Sequence, residues 1–294
     1  MIAILLPNRA SFMVTFPGNV QLSSLGLGTW RMGELASSRQ REISALRSAI
    51  DLGWRVIDTA EMYGDGGAEE VVGAAIAAAF RGGAITRDEL FVVSKVYPHH
   101  ASGAGTATAC ERSLARLGLD HLDAYLLHWR GSVALQETVD AFEALRSSGR
   151  IRRWGVSNFD LADMTELMGV RGGDRCGTNQ IYYSLSTRGP AFDLVPWLQR
   201  HGIATMAYSP IDQGALARNR ALARLASKLG ARPAQIALAW LTSQPDVMAI
   251  PKAASEAHLR ENLASLSLTL DAAALAELDA AFPPPRRKVP LAML

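Results

Sequence analysis

Eight short apolar runs, alternating with longer amphipathic segments at intervals of roughly thirty residues, constrain the fold of this chain more than any other feature. The runs are LGLGTW (25–30), RVIDTA (55–60), LFVVSKV (90–96), AYLLHW (124–129), RRWGVSN (152–158), GTNQIYY (177–183), TMAYSP (205–210) and VMAIPKA (247–253). Between them, REISALRSAIDLG, AEEVVGAAIAAAF, TACERSLARLG, LQETVDAFEALRSSG, LADMTELMGV, FDLVPWLQRHG and PAQIALAWLTSQ carry helical periodicity, and several close on glycine. Strand followed by helix eight times over implies a parallel sheet, and an eightfold count closes naturally as an α/β (β/α)8 TIM barrel. A doubly wound open sheet is the weaker fit, because Gly26 and Gly28 give G-x-G without the third glycine and helix start of a dinucleotide fingerprint. The expectation is one barrel domain over 1–294. Its accessories are a leader over 1–14, an N-terminal β-hairpin plug in FPGNVQLS turning at Gly18 and Asn19, extra C-terminal helices in AHLRENLASL and DAAALAELDAAF, and a tail over 283–294.

No proline- or serine-rich linker interrupts the series, so two domains are not favoured. With 49% hydrophobic and 20% charged residues the chain can bury a large core, which excludes a disordered or disulfide-stapled class. A formal charge of +2 gives no reason to expect nucleic acid as a partner. No window approaches the roughly 18 uninterrupted apolar residues of a membrane span. Cys110 and Cys176 stand in no metal or redox spacing, which points to a reducing compartment. The leader MIAILLPNRASFM lacks the basic start and small-residue cleavage site of a signal peptide, so a cytoplasmic location is expected.

Active sites of such barrels lie at the C-terminal ends of the strands. There the second run brings Asp58, the third Lys95, the fourth His128, the fifth Ser157 and Asn158, the sixth Gln180, the seventh Tyr208 and Ser209, and the eighth Lys252. Several have plain structural explanations: Asp58 as a turn cap, His128 as a satisfied core histidine, Lys252 as a solvated strand end. Lys95 is harder to dismiss, because an ammonium between Val93 and Val96 is costly to bury unpaired. Only four of the 30 basic residues are lysine, namely Lys95, Lys228, Lys252 and Lys288, so a lysine inside an apolar strand calls for a reason. Asp58 is the expected counter-ion. Tyr63, in the glycine-rich MYGDGG, is then placed beside a fixed cation that favours tyrosinate and lowers the phenol pKa from about 10. With His128 as hydrogen-bond donor to a carbonyl, the four groups make a site for protonating an oxygen.

The segments DTAEMYGDGGAEEVVG (58–73), VVSKVYP (92–98), LLHWRG (126–131), RWGVSNF (153–159), TNQIYYS (178–184), AYSPI (207–211) and IPKA (250–253) resemble, in order and spacing, the signature segments of the aldo-keto reductase superfamily. The resemblance spans about residues 20–282. It implies an NADPH-dependent oxidoreductase reducing aldehydes or ketones to alcohols, with NAD as the alternative cofactor and a monomeric state. By the resemblance Tyr63 is the general acid, Lys95 tunes it, Asp58 pairs with the lysine, and His128 orients the carbonyl. It also implies that Ser157, Asn158 and Gln180 meet the nicotinamide carboxamide and Tyr208 stacks on the ring. Thr29, Trp30 and Asp58 would lie near the reactive end, and Ser209, Pro210, Ile211, Gln213 and Gly214 along the pyrophosphate. Lys252 resembles the lysine that pairs with the 2′-phosphate of NADP, followed by Ala253, Ser255, His258, Glu261 and Asn262 along the adenosine. Ala253 stands where many members have serine and His258 where they have a phosphate-binding arginine, which narrows the margin of NADP over NAD.

Trp30, Tyr63 and Trp129 would give an aromatic pocket with the substrate oxygen toward His128, and short loops at GSVAL and DQGALARN suggest an open site of broad specificity. The strand ends lack the facing carboxylates of a glycosidase, and adjacent His99 and His100 make no metal cluster. Two rivals stay open: a Schiff-base lyase using Lys95 and a nicotinamide-binding regulatory subunit.

Overall fold

The computed structural model describes residues 13–83 and 85–294, so most of the expected leader lies outside the described residues. Met13 and Val14, expected at the leader's end, instead begin strand β1 (Met13–Phe16), which pairs antiparallel with β2 (Val20–Ser23). The three-residue turn puts Gly18 at φ 83° and Asn19 at φ 56°, left-handed conformations suited to glycine and asparagine.

The eight barrel strands follow as β3 (Leu27–Gly28), β4 (Val56–Asp58), β5 (Phe91–Val96), β6 (Ala124–Leu127), β7 (Trp154–Ser157), β8 (Thr178–Tyr182), β9 (Ala204–Tyr208) and β10 (Val247–Ile250). Each is parallel to the next in chain order. Parallel bridges from Leu25 to Ala249 and from Gly28 to Lys252 join the last strand to the first, completing the ring. The expected (β/α)8 barrel is the observed fold; seven strands fall within the runs that predicted them, and β9 begins one residue earlier, at Ala204.

Around the ring lie α1 (Arg39–Asp51), α2 (Gly67–Arg81), α3 (Gly103–Leu117), α4 (Leu135–Ser147), α5 (Leu161–Gly169), α6 (Leu194–Arg200), α7 (Arg220–Lys228), α8 (Pro233–Thr242), α9 (Glu256–Ala264) and α10 (Ala272–Ala281). Helix α7 was not among the expected segments. It starts on Asn219, whose side chain accepts the backbone N–H groups of Ala221 and Leu222, and it buries Leu222, Leu225 and Ala226. Arg220, Arg224 and Lys228 stand four residues apart on the face opposite those apolar positions, an amphipathic pattern confined to nine residues. Among the described residues no helix is long and apolar enough to cross a membrane.

Two cores hold the barrel. The larger lies between strands and helices; the smaller fills the interior with Val56, Phe91, Val93, Ala124, Leu126, Ala204, Met206, Met248 and Ile250. Val14 and Phe16 of the hairpin belong to the inner core, with the Phe16 ring edge-on to Phe91 at 5.2 Å. The Arg153 guanidinium fastens the hairpin turn by donating to the Pro17 carbonyl at 2.7 Å. The expected plug thus seals the N-terminal end, leaving the C-terminal mouth for chemistry.

Candidate active site

Val93 belongs to the inner core, so strand alternation points Lys95, two residues on, the same way one layer nearer the C-terminal mouth. Lys95 is 0% exposed. Its ammonium donates to Asp58 Oδ2 at 2.9 Å, to the Thr59 carbonyl at 2.8 Å and to the Tyr63 hydroxyl at 3.2 Å. Those three acceptors match the donor capacity of an ammonium. The other Asp58 oxygen accepts from the Gln180 amide at 2.8 Å, so the buried pair is hydrogen-bonded at both ends. His128 follows β6, with its imidazole edge-on to the Tyr63 ring at a centroid distance of 5.7 Å. Asp58, Lys95 and His128 at the strand ends therefore converge with Tyr63 of the loop after β4.

Burial alone would lower the Lys95 pKa, but Asp58 and Tyr63 outweigh it and keep the ammonium charged. The His128 pKa is pushed well below its ordinary value, first by burial and then by the Lys95 charge, so the ring is neutral. Tyr63 departs from the sequence expectation. Its pKa is raised, because burial outweighs the lowering by Lys95 and the Asp58 carboxylate adds to the rise. The phenol consequently keeps its proton at neutral pH, which is the state a proton donor requires.

The remaining expected residues divide into two groups. Thr29 donates its hydroxyl to the Asp58 carbonyl at 2.9 Å. Ser157 donates to the Gln180 carbonyl at 2.9 Å, Asn158 donates to the His128 carbonyl at 3.1 Å, and Tyr208 donates to Asn158 Oδ1 at 2.9 Å. These groups form one network with the Lys95 cluster. After β9, Ser209, Gln213 and Gly214 all have positive φ, and Asp212 pins the loop by accepting from Tyr182 at 2.9 Å and Ser184 at 2.7 Å. Pro210 is buried in this loop, and Ile211 packs on the outer core.

The second group lies on the rim beyond β10, joined to the mouth by the Gly28 to Lys252 bridge. Burial lowers the Lys252 pKa, while Glu42 and Glu34 oppose the shift. Ala253 is buried, and Ser255 caps α9 by accepting the His258 backbone N–H at 3.4 Å. Glu261 is paired with Arg232 at 3.0 Å, and Asn262 is buried. Arg260 is engaged by Glu256 at 2.7 Å.

Tyr97 escaped the sequence reading. Its ring centroid lies 5.8 Å from Trp129 and 6.5 Å from His128, completing an aromatic wall that also includes the close pair of His128 and Trp129 at 5.0 Å. Its signal was its position two residues past Lys95. Trp30 follows β3 at the same end of the barrel, with the Arg31 guanidinium 4.4 Å above its ring.

Comparison with known proteins adds to this geometry. The sequence model of the aldo/keto reductase family matches residues 24–282. The chain is 50% identical over 287 residues to the methylglyoxal reductase YeaE of Escherichia coli strain K12, covering 96% of this chain and 99% of that protein. It is 32% identical over 275 residues to a glyoxal reductase of Bacillus subtilis strain 168, covering 94% of each. Among solved structures, an aldo/keto reductase from Klebsiella pneumoniae in complex with NADP and acetate superposes with a TM-score of 0.92 at 49% identity, covering 97% of this chain and 100% of the other. A match across the full barrel, together with the paired lysine and tyrosine at its mouth, assigns the lineage: the chain belongs to the aldo/keto reductase family.

Proposed function

We propose that this protein reduces small aldehydes and ketones, 2-oxoaldehydes of the methylglyoxal type foremost, using NADPH. The observation that carries the reading is the protonated Tyr63 hydroxyl 3.2 Å from a charged, fully buried Lys95. The relatives named as methylglyoxal and glyoxal reductases support the substrate class, and the relative holding NADP supports the cofactor. The residues here fit that cofactor. Tyr208 offers a ring face at the mouth, stacked on Tyr182 at 5.6 Å, and Lys252 has no carboxylate at ion-pair distance among the described residues. Lys252 is thus free to meet a phosphate.

When bound, NADPH supplies a hydride to the carbonyl carbon. The neutral His128 ring presents an N–H to the carbonyl oxygen and holds it toward Tyr63. As negative charge grows on that oxygen, Tyr63 donates its proton, and the tyrosinate left behind is stabilised by the Lys95 ammonium. Lys95 therefore acts on the product of proton transfer more than on the resting phenol. Asp58 keeps the ammonium charged and fixed, aided by Gln180. Trp30, Tyr97 and Trp129 form the apolar walls for the substrate body. A charged, fully hydrogen-bonded Lys95 is a poor amine nucleophile, which counts against Schiff-base chemistry.

All these groups come from one chain, consistent with a monomer. Two buried free thiols, with pKa values pushed up to about 12 by burial, suit a reducing cytoplasm.

A panel of aldehydes, ketones and 2-oxoaldehydes with purified protein and NADPH or NADH tests the reading. Turnover fastest with 2-oxoaldehydes and NADPH is expected, and no nucleotide oxidation with any carbonyl would refute it. Lys252→Ala should weaken NADPH binding about tenfold or more, the worth of a charge-assisted hydrogen bond, and leave NADH nearly unchanged. Equal weakening of both would remove Lys252 from 2′-phosphate recognition. The pH profile follows from the shifts. Tyr63, raised, holds its proton until above about pH 10, and His128, lowered, stays neutral at least down to about pH 6.5. Reduction should therefore show no break between about pH 6.5 and 9 in kcat/KM. An inflection near neutrality would contradict these protonation states.

A further inference from the structure

Two buried carboxylates bracket Tyr63, Glu61 before it and Glu69 after it. Glu61 Oε1 accepts the Tyr97 backbone N–H at 2.8 Å and lies 3.0 Å from His100 Nδ1, while Oε2 lies 3.2 Å from the Arg112 guanidinium. Glu69 Oε1 accepts the Ser94 hydroxyl at 2.6 Å, and Oε2 accepts from Arg116 at 3.0 Å. Each carboxylate thus grips the chain on one side of Lys95, Ser94 before it and Tyr97 beyond it, and each takes one arginine from α3. Arg112 and Arg116 are four residues apart and share a helix face.

The segment held between these anchors has few bonds of its own: the Tyr63 N–H donates to the Ala60 carbonyl at 3.1 Å and the Asp65 N–H to the Met62 carbonyl at 3.3 Å. Gly64, Asp65 and Gly66 have φ of 58°, 52° and 87°, a region that glycine adopts freely, so that of the three only Asp65 is strained there. The Arg116 guanidinium lies directly against Gly66, where a Cβ would collide with it, and a Cβ on Gly64 would come within 3.0 Å of the Met32 carbonyl. A non-glycine residue in that region persists where its surroundings fix it. Here the surroundings are the Met32 and Gly33 backbone on one side and, on the other, two ion pairs from a helix that itself contributes nothing to the reacting atoms.

We propose that Glu61 with Arg112 and Glu69 with Arg116 form a two-point clamp from α3 that sets the Tyr63 hydroxyl against Lys95, making all four positioning residues for the proton donor. The proposal rests on Tyr63 being that donor. The Tyr63 proton goes to the substrate oxygen, and its transfer depends steeply on where the 3.2 Å contact with Lys95 holds the hydroxyl, so loosening either grip slows the chemical step while the cofactor contacts expected on β7 to β10 keep their geometry.

The test compares Glu61→Gln, Arg112→Ala, Arg112→Lys, Glu69→Gln and Tyr63→Phe in the full-length protein with methylglyoxal and NADPH. Glu61→Gln and Arg112→Ala should lower kcat about tenfold, keep KM for NADPH, and raise the solvent deuterium isotope effect as proton transfer becomes limiting. Arg112→Lys should recover most of the rate. Should fully buried Glu69→Gln fail to fold, Arg112→Ala carries the test, because that side chain is 42% exposed. A lower melting temperature with unchanged kcat per folded molecule and unchanged isotope effect would overturn the clamp. Tyr63→Phe without activity, alongside wild-type kcat in Glu61→Gln and Arg112→Ala, would overturn the clamp alone. Tyr63→Phe with full activity would overturn the donor assignment and the clamp with it.

Discussion

Tyr63→Phe is expected to lower kcat for carbonyl reduction by about 10²–10⁴-fold, the usual worth of a positioned general acid, with NADPH affinity close to wild type. Phenylalanine keeps the ring that packs on the outer core and meets His128 edge-on at 5.7 Å. It removes the hydroxyl and one of the three Lys95 hydrogen bonds, leaving Asp58 and Thr59 to hold the ammonium. The fold should therefore survive with a loss near 1 kcal/mol, the net value of one hydrogen bond. Fluorescence titration with NADPH beside steady-state kinetics separates the two effects. Binding lost together with turnover would mean that Tyr63 shapes the cofactor site and is not a proton donor.

The second large effect concerns stability as much as rate. Lys95→Met should abolish reduction and destabilise the protein by about 3–5 kcal/mol, because it strands a buried carboxylate. Asp58 would keep only its Gln180 contact at 2.8 Å. Adding Asp58→Asn to Lys95→Met should recover most of the stability, since the amide carries no charge and can still bond Gln180, while activity stays absent. Denaturant unfolding of the single and double variants measures this directly. A single variant as stable as wild type would show that the pair is not the buried, fully hydrogen-bonded contact seen in the structure.

Much of this was legible in the sequence because barrel strands buried on both faces leave apolar runs with few polar residues. Asp58, Lys95 and His128 stood out for that reason, and Lys95 most of all, as one of four lysines in the chain. The ring closure and the hairpin plug followed from strand count and turn chemistry. What could not be read was the sum of opposing three-dimensional effects. The Tyr63 pKa is raised because desolvation exceeds the pull of Lys95, and neither magnitude is written in spacing. Helix α7 carries its basic residues on the face opposite its buried leucines, so its pattern is present in the sequence but confined to nine residues. Tyr97 and Glu61 gave no motif of their own, since one lines the mouth by strand parity and the other acts through contacts to α3. Glu261, expected near the adenosine, is already engaged by Arg232, an outcome set by helix packing and not by local sequence.

The central claim is that this mouth delivers a hydride and the Tyr63 proton to a carbonyl. Incubating the protein with methylglyoxal and NADPH deuterated on the transferred position of the nicotinamide tests it most directly. Deuterium on the carbinol carbon of the alcohol product is the predicted result. Alcohol without deuterium, or a borohydride-stable adduct on Lys95 in place of alcohol, would contradict it.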